Sequence, residues 1–157
     1  EVLQNVAAWM PHIETELATT AQTFLEQWVQ FSPGSLDPKE QWFSTWEDMV
    51  TREFRNQMRV QADGMWSWTW NTEQKACCVA FPAPVEARVG DDQAVAKVTL
   101  TRWVLPLFAT AGEMETITQE NSPEKKTYLV WMDVEDEGFI VTGADEIPED
   151  APLPEVR

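Results

Sequence analysis

The sequence predicts an α+β domain, with two or three N-terminal helices packed on a curved, mostly antiparallel sheet of about six strands. Three observations predict it. Apolar residues recur at helical spacing through the first third of the chain. From Met65 onward the recurring period is two. No helical stretch separates the strands that follow, so no crossover is available to make neighbouring strands parallel. The chain has 157 residues, 43% of them hydrophobic and 24% charged. That suits one packed core and is too apolar for a disordered chain.

The helices come first. Residues 12–30 place Ile13, Leu17, Ala21, Phe24, Leu25, Trp28 and Val29 on one stripe, and Pro11 suits a first helical position, where no amide donor is needed. Val2, Leu3, Val6, Trp9 and Met10 follow a similar spacing, so residues 1–11 read as an extra helical turn or two, a lead-in from a removed upstream segment. Ser32-Pro33-Gly34 stops the helix. Asp37 then reads as an N-cap, Pro38 as the first helical residue and Glu40 as the reciprocal partner of the cap. Trp42, Phe43, Trp46, Met49 and Val50 form the apolar side of this second helix. Thr51 can cap a third, short helix carrying Phe54 and Met58, and Ala62-Asp63-Gly64 reads as the turn that ends it.

Strands follow. Residues 65–71 alternate without a break, which would set Trp66, Trp68 and Trp70 on one face. Residues 76–81 and 85–89 are short strands separated by Pro82 and Pro84. Residues 94–105 form a long strand with Val95, Thr99, Thr101, Trp103 and Leu105 on one side and Ala96, Val98, Leu100 and Val104 on the other. Residues 113–119 read as an edge strand. Residues 126–134 and 139–143 pair across a hairpin loop at 135–138. Residues 148–157, acidic and containing Pro148, Pro152 and Pro154, read as an extended, poorly ordered tail.

Charge and cysteine narrow the function classes. There are 27 acidic and 11 basic residues, a formal net charge of −16. The bases are scattered, with Lys125-Lys126 the longest run, which argues against direct nucleic-acid binding. Residues 133–157 hold 9 acids and 1 base, a solubilising tail or a partner-binding surface. The cysteines, Cys77 and Cys78, are adjacent. In a strand they would point to opposite faces and act as small core or half-core residues; a vicinal bond or an intermolecular bridge is the alternative. No zinc or CxxC pattern is available.

Three stretches carry a family resemblance. Ala21-Gln22-Thr23-Phe24-Leu25-Glu26-Gln27-Trp28 running through Ser32-Pro33-Gly34 to Trp42 looks like a first helix, loop and second helix. Met49-Val50-Thr51-Arg52-Glu53-Phe54 resembles the end of a helical layer. Tyr128-Leu129-Val130-Trp131-Met132 with Gly138-Phe139-Ile140-Val141-Thr142-Gly143 looks like a closing hairpin. This order resembles the cystatin-like cone of the nuclear transport factor 2 superfamily. Within it, the order is similar to the extracytoplasmic domains of TcpC-like conjugation proteins of Gram-positive bacteria, related to the VirB-type scaffold of type IV secretion. The resemblance implies a single domain over residues 12–147 and a membrane anchor upstream of the lead-in. It also implies a cell-membrane location with the domain on the extracytoplasmic side. The implied role is a non-enzymatic scaffold in a DNA-transfer complex, binding other channel proteins and copies of itself, with no cofactor.

Catalytic groups are sparse. His12 is the single histidine, placed at a helix start beside Pro11, and a general base needs an orienting partner. Asp63 and Asp133 lie nearest to apolar residues that could raise a carboxyl pKa, yet each adjoins a turn. Asp133-Val134-Glu135-Asp136-Glu137-Gly138 begins like a calcium loop, but Ala144 stands where a bidentate Glu is needed. No glycine-rich phosphate loop or nucleophile elbow is present. The remaining candidate is a tryptophan site, Trp66, Trp68 and Trp70 joined by Trp103 and Trp131, either as core or as the lining of a pocket or interface. That leaves two readings, a scaffold domain without catalysis and a protein that binds or transforms a small apolar ligand.

Overall fold

The computed structural model describes residues 2–30, 38–136 and 138–156; the side chains of residues 2–14, 38, 65 and 70 fall outside the described set. Four helices and five strands run in the order α1 (Val2–Trp28), α2 (Pro38–Trp46), a short 3-10 turn (Glu47–Met49) and α3 (Arg52–Thr72). They continue as β1 (Gln74–Ala80), β2 (Glu86–Val89), β3 (Gln93–Pro106), α4 (Ala111–Glu120), β4 (Glu124–Glu135) and β5 (Gly138–Ile147). The fold class is α+β, an open antiparallel sheet with its helical layer on one face.

The first helix is a single element of 27 residues and passes through Pro11, where a start was expected. Proline removes one amide from the ladder there, and the stripe continues beyond it. Leu17, Ala21, Phe24 and Leu25 have no exposed surface. The Ser32-Pro33-Gly34 stop and the Asp37 cap lie outside the described residues. Thr51 caps α3 as expected, its hydroxyl accepting from the Phe54 amide at 3.3 Å.

Three expected elements are corrected. Helix α3 does not end at Ala62-Asp63-Gly64 but continues to Thr72, so residues 65–71 are helix and not strand. Its buried stripe is Phe54, Met58, Ala62, Trp66 and Thr69, steps of four and three that carry the helical period through the glycine. It ends at Glu73 in the left-handed region (φ 53°), whose amide donates to Thr69 O. Residues 113–119 belong to α4, capped by Thr110, whose hydroxyl accepts from the Glu113 amide at 3.2 Å. The sheet therefore has five strands.

The strand order is β1-β3-β4-β5, with β2 also on β3. The edge beside β3 is split. β1 pairs with the second half of β3, from Gln74↔Pro106 to Ala80↔Thr101, and β2 with the first half, from Glu86↔Lys97 to Val89↔Ala94. β4 pairs with the first ten residues of β3, from Arg102↔Glu124 to Gln93↔Asp133. The β4–β5 connection is shorter than expected, since β4 ends at Glu135 and β5 starts at Gly138. Gly138 has φ 142°, and a Cβ there would lie 2.9 Å from Glu16 Oε1 of α1. The backbone conformation therefore calls for glycine, whereas the Glu16 carboxylate, at the end of a flexible side chain, could move aside.

The core fills the space between helices and sheet. Ala94, Ala96, Val98 and Leu100 of β3 and Val130 and Met132 of β4 are fully buried and share one cluster with Phe24, Phe43 and Trp46. The aromatic rings meet mostly edge to face, Phe24–Trp46 at 5.9 Å, Trp42–Trp46 at 5.1 Å and Trp42–Trp66 at 6.4 Å. Such pairs add about 0.5–1.5 kcal/mol beyond area burial.

Candidate functional site

Among the described side chains, the structure does not bring the tryptophan candidates together. On α3, a helix, residues two apart point to nearly opposite sides. Trp66 is buried against Trp42, whereas Trp68 is 37% exposed. The Trp70 side chain lies outside the described residues, as does that of His12. Trp103 and Trp131 are half-buried on the sheet face away from the core. Trp131 stands opposite Val95 and Trp103 opposite Cys77, eight residues apart along β3. The expected shared strand face of Trp66 and Trp68 is thus corrected, since an alternation assigned to a strand belongs to a helix, and Trp103 and Trp131 lie on the sheet face away from Trp66.

The acid candidates are solvated. Asp63 is exposed and ion-paired to Lys39 at 2.6 Å. Asp133 is exposed in an open polar groove with Asp92, Gln93 and Glu135. Among the described residues no group of three His, Cys, Asp or Glu could hold a metal ion. No described helix is long and apolar enough to cross a membrane.

Two other constellations are assembled, each from residues distant in sequence. The first closes the end of α1. The last carbonyls of a helix lack intrahelical donors; here the Trp42 indole donates to Trp28 O at 3.2 Å and the Arg102 guanidinium to Val29 O at 2.9 Å. Arg102 also pairs with Glu124 at 3.1 Å. Beside it, Lys126 donates to Glu146 at 2.6 Å. Burial pushes the Tyr128 phenol above its ordinary value, only partly offset by Lys126 and Arg102. Burial alone would lower Lys126, but the Glu146 hydrogen bond and nearby negative charge raise it.

The second lies on the outer face of the sheet. Val95 is fully buried there, and Thr99 and Thr127 share a buried hydroxyl hydrogen bond of 3.0 Å. Residues 148–156 contribute to the cover. Lys97, its side chain only 10% exposed, donates to the Ala151 carbonyl at 2.6 Å, and Lys125 pairs with Glu149 at 2.7 Å. Ala151, Leu153, Pro154 and Val156 are half-buried. The tail is extended as expected, but it is tied to the sheet rather than loose. Sequence reasoning missed Lys97. Its signal was a cation between Ala96 and Val98 in the apolar run 94–98. The Cys77–Cys78 pair is likewise corrected: the two are joined in a vicinal disulfide. Cys78 has φ 67°, which breaks the strand alternation that would hold the sulfurs apart.

No family model matches the chain, and no curated protein matches its sequence. Among solved structures, the intermembrane space region of the chloroplast protein ARC6 superposes with a TM-score of 0.45 at 12% identity, covering 83% of this chain and 95% of that one. A likeness of that size carries no functional argument.

Proposed function

We propose that this domain is a non-enzymatic scaffold that works by binding other proteins through the outer face of its sheet. The observation that supports it is the seating of residues 148–156 on that face. An extended, acidic, proline-containing segment is held there by Lys97 at the Ala151 carbonyl and by Lys125 at Glu149. Backbone carbonyls and carboxylates of a partner segment present the same chemistry. The small-ligand reading has less room. The space between helices and sheet, where an apolar ligand would sit, is taken by Phe24, Phe43, Trp46 and Met132, each no more than 1% exposed.

The setting follows from the resemblance carried by residues 21–54 and 128–143. It is a membrane-anchored conjugative transfer complex of the type IV secretion kind, the domain lying on the extracytoplasmic side and meeting other channel proteins and copies of itself. The disulfide supports an oxidising compartment. The net charge of −16 supports protein rather than nucleic-acid partners.

The test is fractionation of the full-length gene product in its host, with protease added to intact cells and a photo-crosslinker placed at Trp131. The expected result is a membrane-bound protein cut from outside, with protein adducts at Trp131. A product that stays in the cytoplasm and forms no adduct would sink the proposal.

A further inference from the structure

We propose that Cys77–Cys78 is a reversible thiol–disulfide exchange site at the edge of the sheet. The inference is independent of the scaffold reading. The two neighbours are joined in a disulfide. Cys78 takes a φ of 67°, the left-handed region that a cysteine rarely enters. It does so where the β1–β3 ladder slips by one residue, between Cys77↔Trp103 and Ala80↔Thr101. A bulge of this kind leaves an amide without a ladder partner. The Cys78 amide donates instead to Oε1 of Gln30, just beyond α1, at 2.9 Å. The local backbone, the end of the first helix and the sulfur pair are thus connected at one point.

Several features separate this pair from a structural staple. A bond between adjacent residues encloses no intervening chain, so it does not restrict the unfolded state as a long-range cross-link does. Cys78 is exposed and Cys77 half-buried, so one sulfur of the pair is open to attack. Disulfides that are exposed are the labile, regulatory or catalytic ones. Lys75 shares the strand face of Cys77, two residues away, and a cation near a leaving thiolate favours its release.

The exchange partner is a dithiol. One of its thiolates attacks Cys78 Sγ; the Cys77–Cys78 bond breaks, and the electron pair leaves on Cys77 Sγ, which takes up a proton. The partner's second thiolate then attacks the partner's own sulfur in the mixed disulfide. That bond breaks, Cys78 Sγ leaves and is protonated, and the partner departs as a disulfide. The chain gains two electrons and two protons, and the partner loses them. In the reduced chain Cys78 is free of the ring that holds its backbone turned, and the bond to Gln30 loosens.

The test uses the full chain, purified without reductant. It is treated with iodoacetamide under native conditions, before and after dithiothreitol, and weighed by mass spectrometry. The expected result is no added group before reduction and two after it, with circular dichroism unchanged. Hydrogen exchange at the Cys78 amide should lose protection on reduction. Two groups added before reduction would overturn the proposal, as would a disulfide that opens only when urea unfolds the chain. Single variants check the order of attack. Cys77→Ser leaves the exposed Cys78, which should form a mixed disulfide with oxidised glutathione faster than Cys77 does in Cys78→Ser. Equal rates would overturn the assignment of Cys78 as the attacked sulfur.

Discussion

On the helix side, β3 presents Ala94, Ala96, Val98 and Leu100, all fully buried in one cluster with the rings of Phe24 and Trp46. On the outer side the same strand presents Val95, Lys97 and Thr99, and an irregular segment, 148–156, ties down over Lys97. Small residues on the first face let bulky rings approach, and the contact is apolar and non-directional. On the second face polar groups are matched by specific partners, the Lys97 ammonium to the Ala151 carbonyl and the Glu86 carboxylate, and the Thr99 hydroxyl to Thr127. The first arrangement gives bulk stability. The second gives a cover held at a few points.

The largest effects should come from the helix side. Trp46→Ala is expected to destabilise the chain by about 3–5 kcal/mol, read from urea unfolding. Trp46→Phe should cost much less, because the Trp46 indole N–H is buried without a hydrogen-bond partner among the described residues and its loss offsets lost contact area. A Trp46→Ala cost below that of any outer-face change would break the comparison.

At the β4–β5 hairpin, Gly138→Ala should cost about 1–3 kcal/mol through its backbone conformation, because the nearest atom to the added Cβ, Glu16 Oε1 at 2.9 Å, ends a flexible side chain that can move aside. A truncated side chain at Glu16 should recover little of that loss, which lies in the backbone.

The outer face should answer to pairing rather than to volume. Thr99→Val alone should cost about 1–3 kcal/mol, because it strands the buried Thr127 hydroxyl, whereas the double change to valine should lie near the parent. Additive costs would show that the hydroxyls do not act as a pair. Lys97→Met should lower global stability by only about 1 kcal/mol, since losing the bond is offset by removing a largely buried charge. It should nevertheless expose residues 148–156 to limited proteolysis.

The smallest effect is alkaline. Tyr128 has a pKa raised above 10.0, and Lys126 one raised above 10.5. In both the protonated form is favoured by folding. Their contribution is complete below the unfolded values and is lost as pH rises through the folded ones. Stability should therefore decline above pH 10, and Tyr128→Phe should flatten part of that decline.

What the sequence made legible follows the same division. The Leu17–Ala21–Phe24–Leu25 stripe and the Thr51 cap could be read because one local period or one side chain decides them. The second half of α3 could not, because Trp66, Trp68 and Trp70 alternate like a strand. The deciding signal was the run Met58, Ala62, Trp66, Thr69, with no glycine to mark the end at Glu73. Helix α4 carried a cap in Thr110 and Glu113 that the alternation of Met114 and Thr116 masked. The tail over Lys97 was invisible because its bond joins residues 54 apart in the chain. Even the vicinal pair is a local feature, yet its geometry depends on a register slip against Trp103 and Thr101.

An open sheet has two margins where a stray strand could add and start a fibril. Here one margin is broken into β1 and β2, with the Cys77–Ala80 irregularity in the first and Pro82 and Pro84 between them. At the other, the Thr51 amide donates to Val141 O at 2.8 Å, and Asp145 and Glu146 place charge further along. Polymerisation by strand addition is discouraged at both margins.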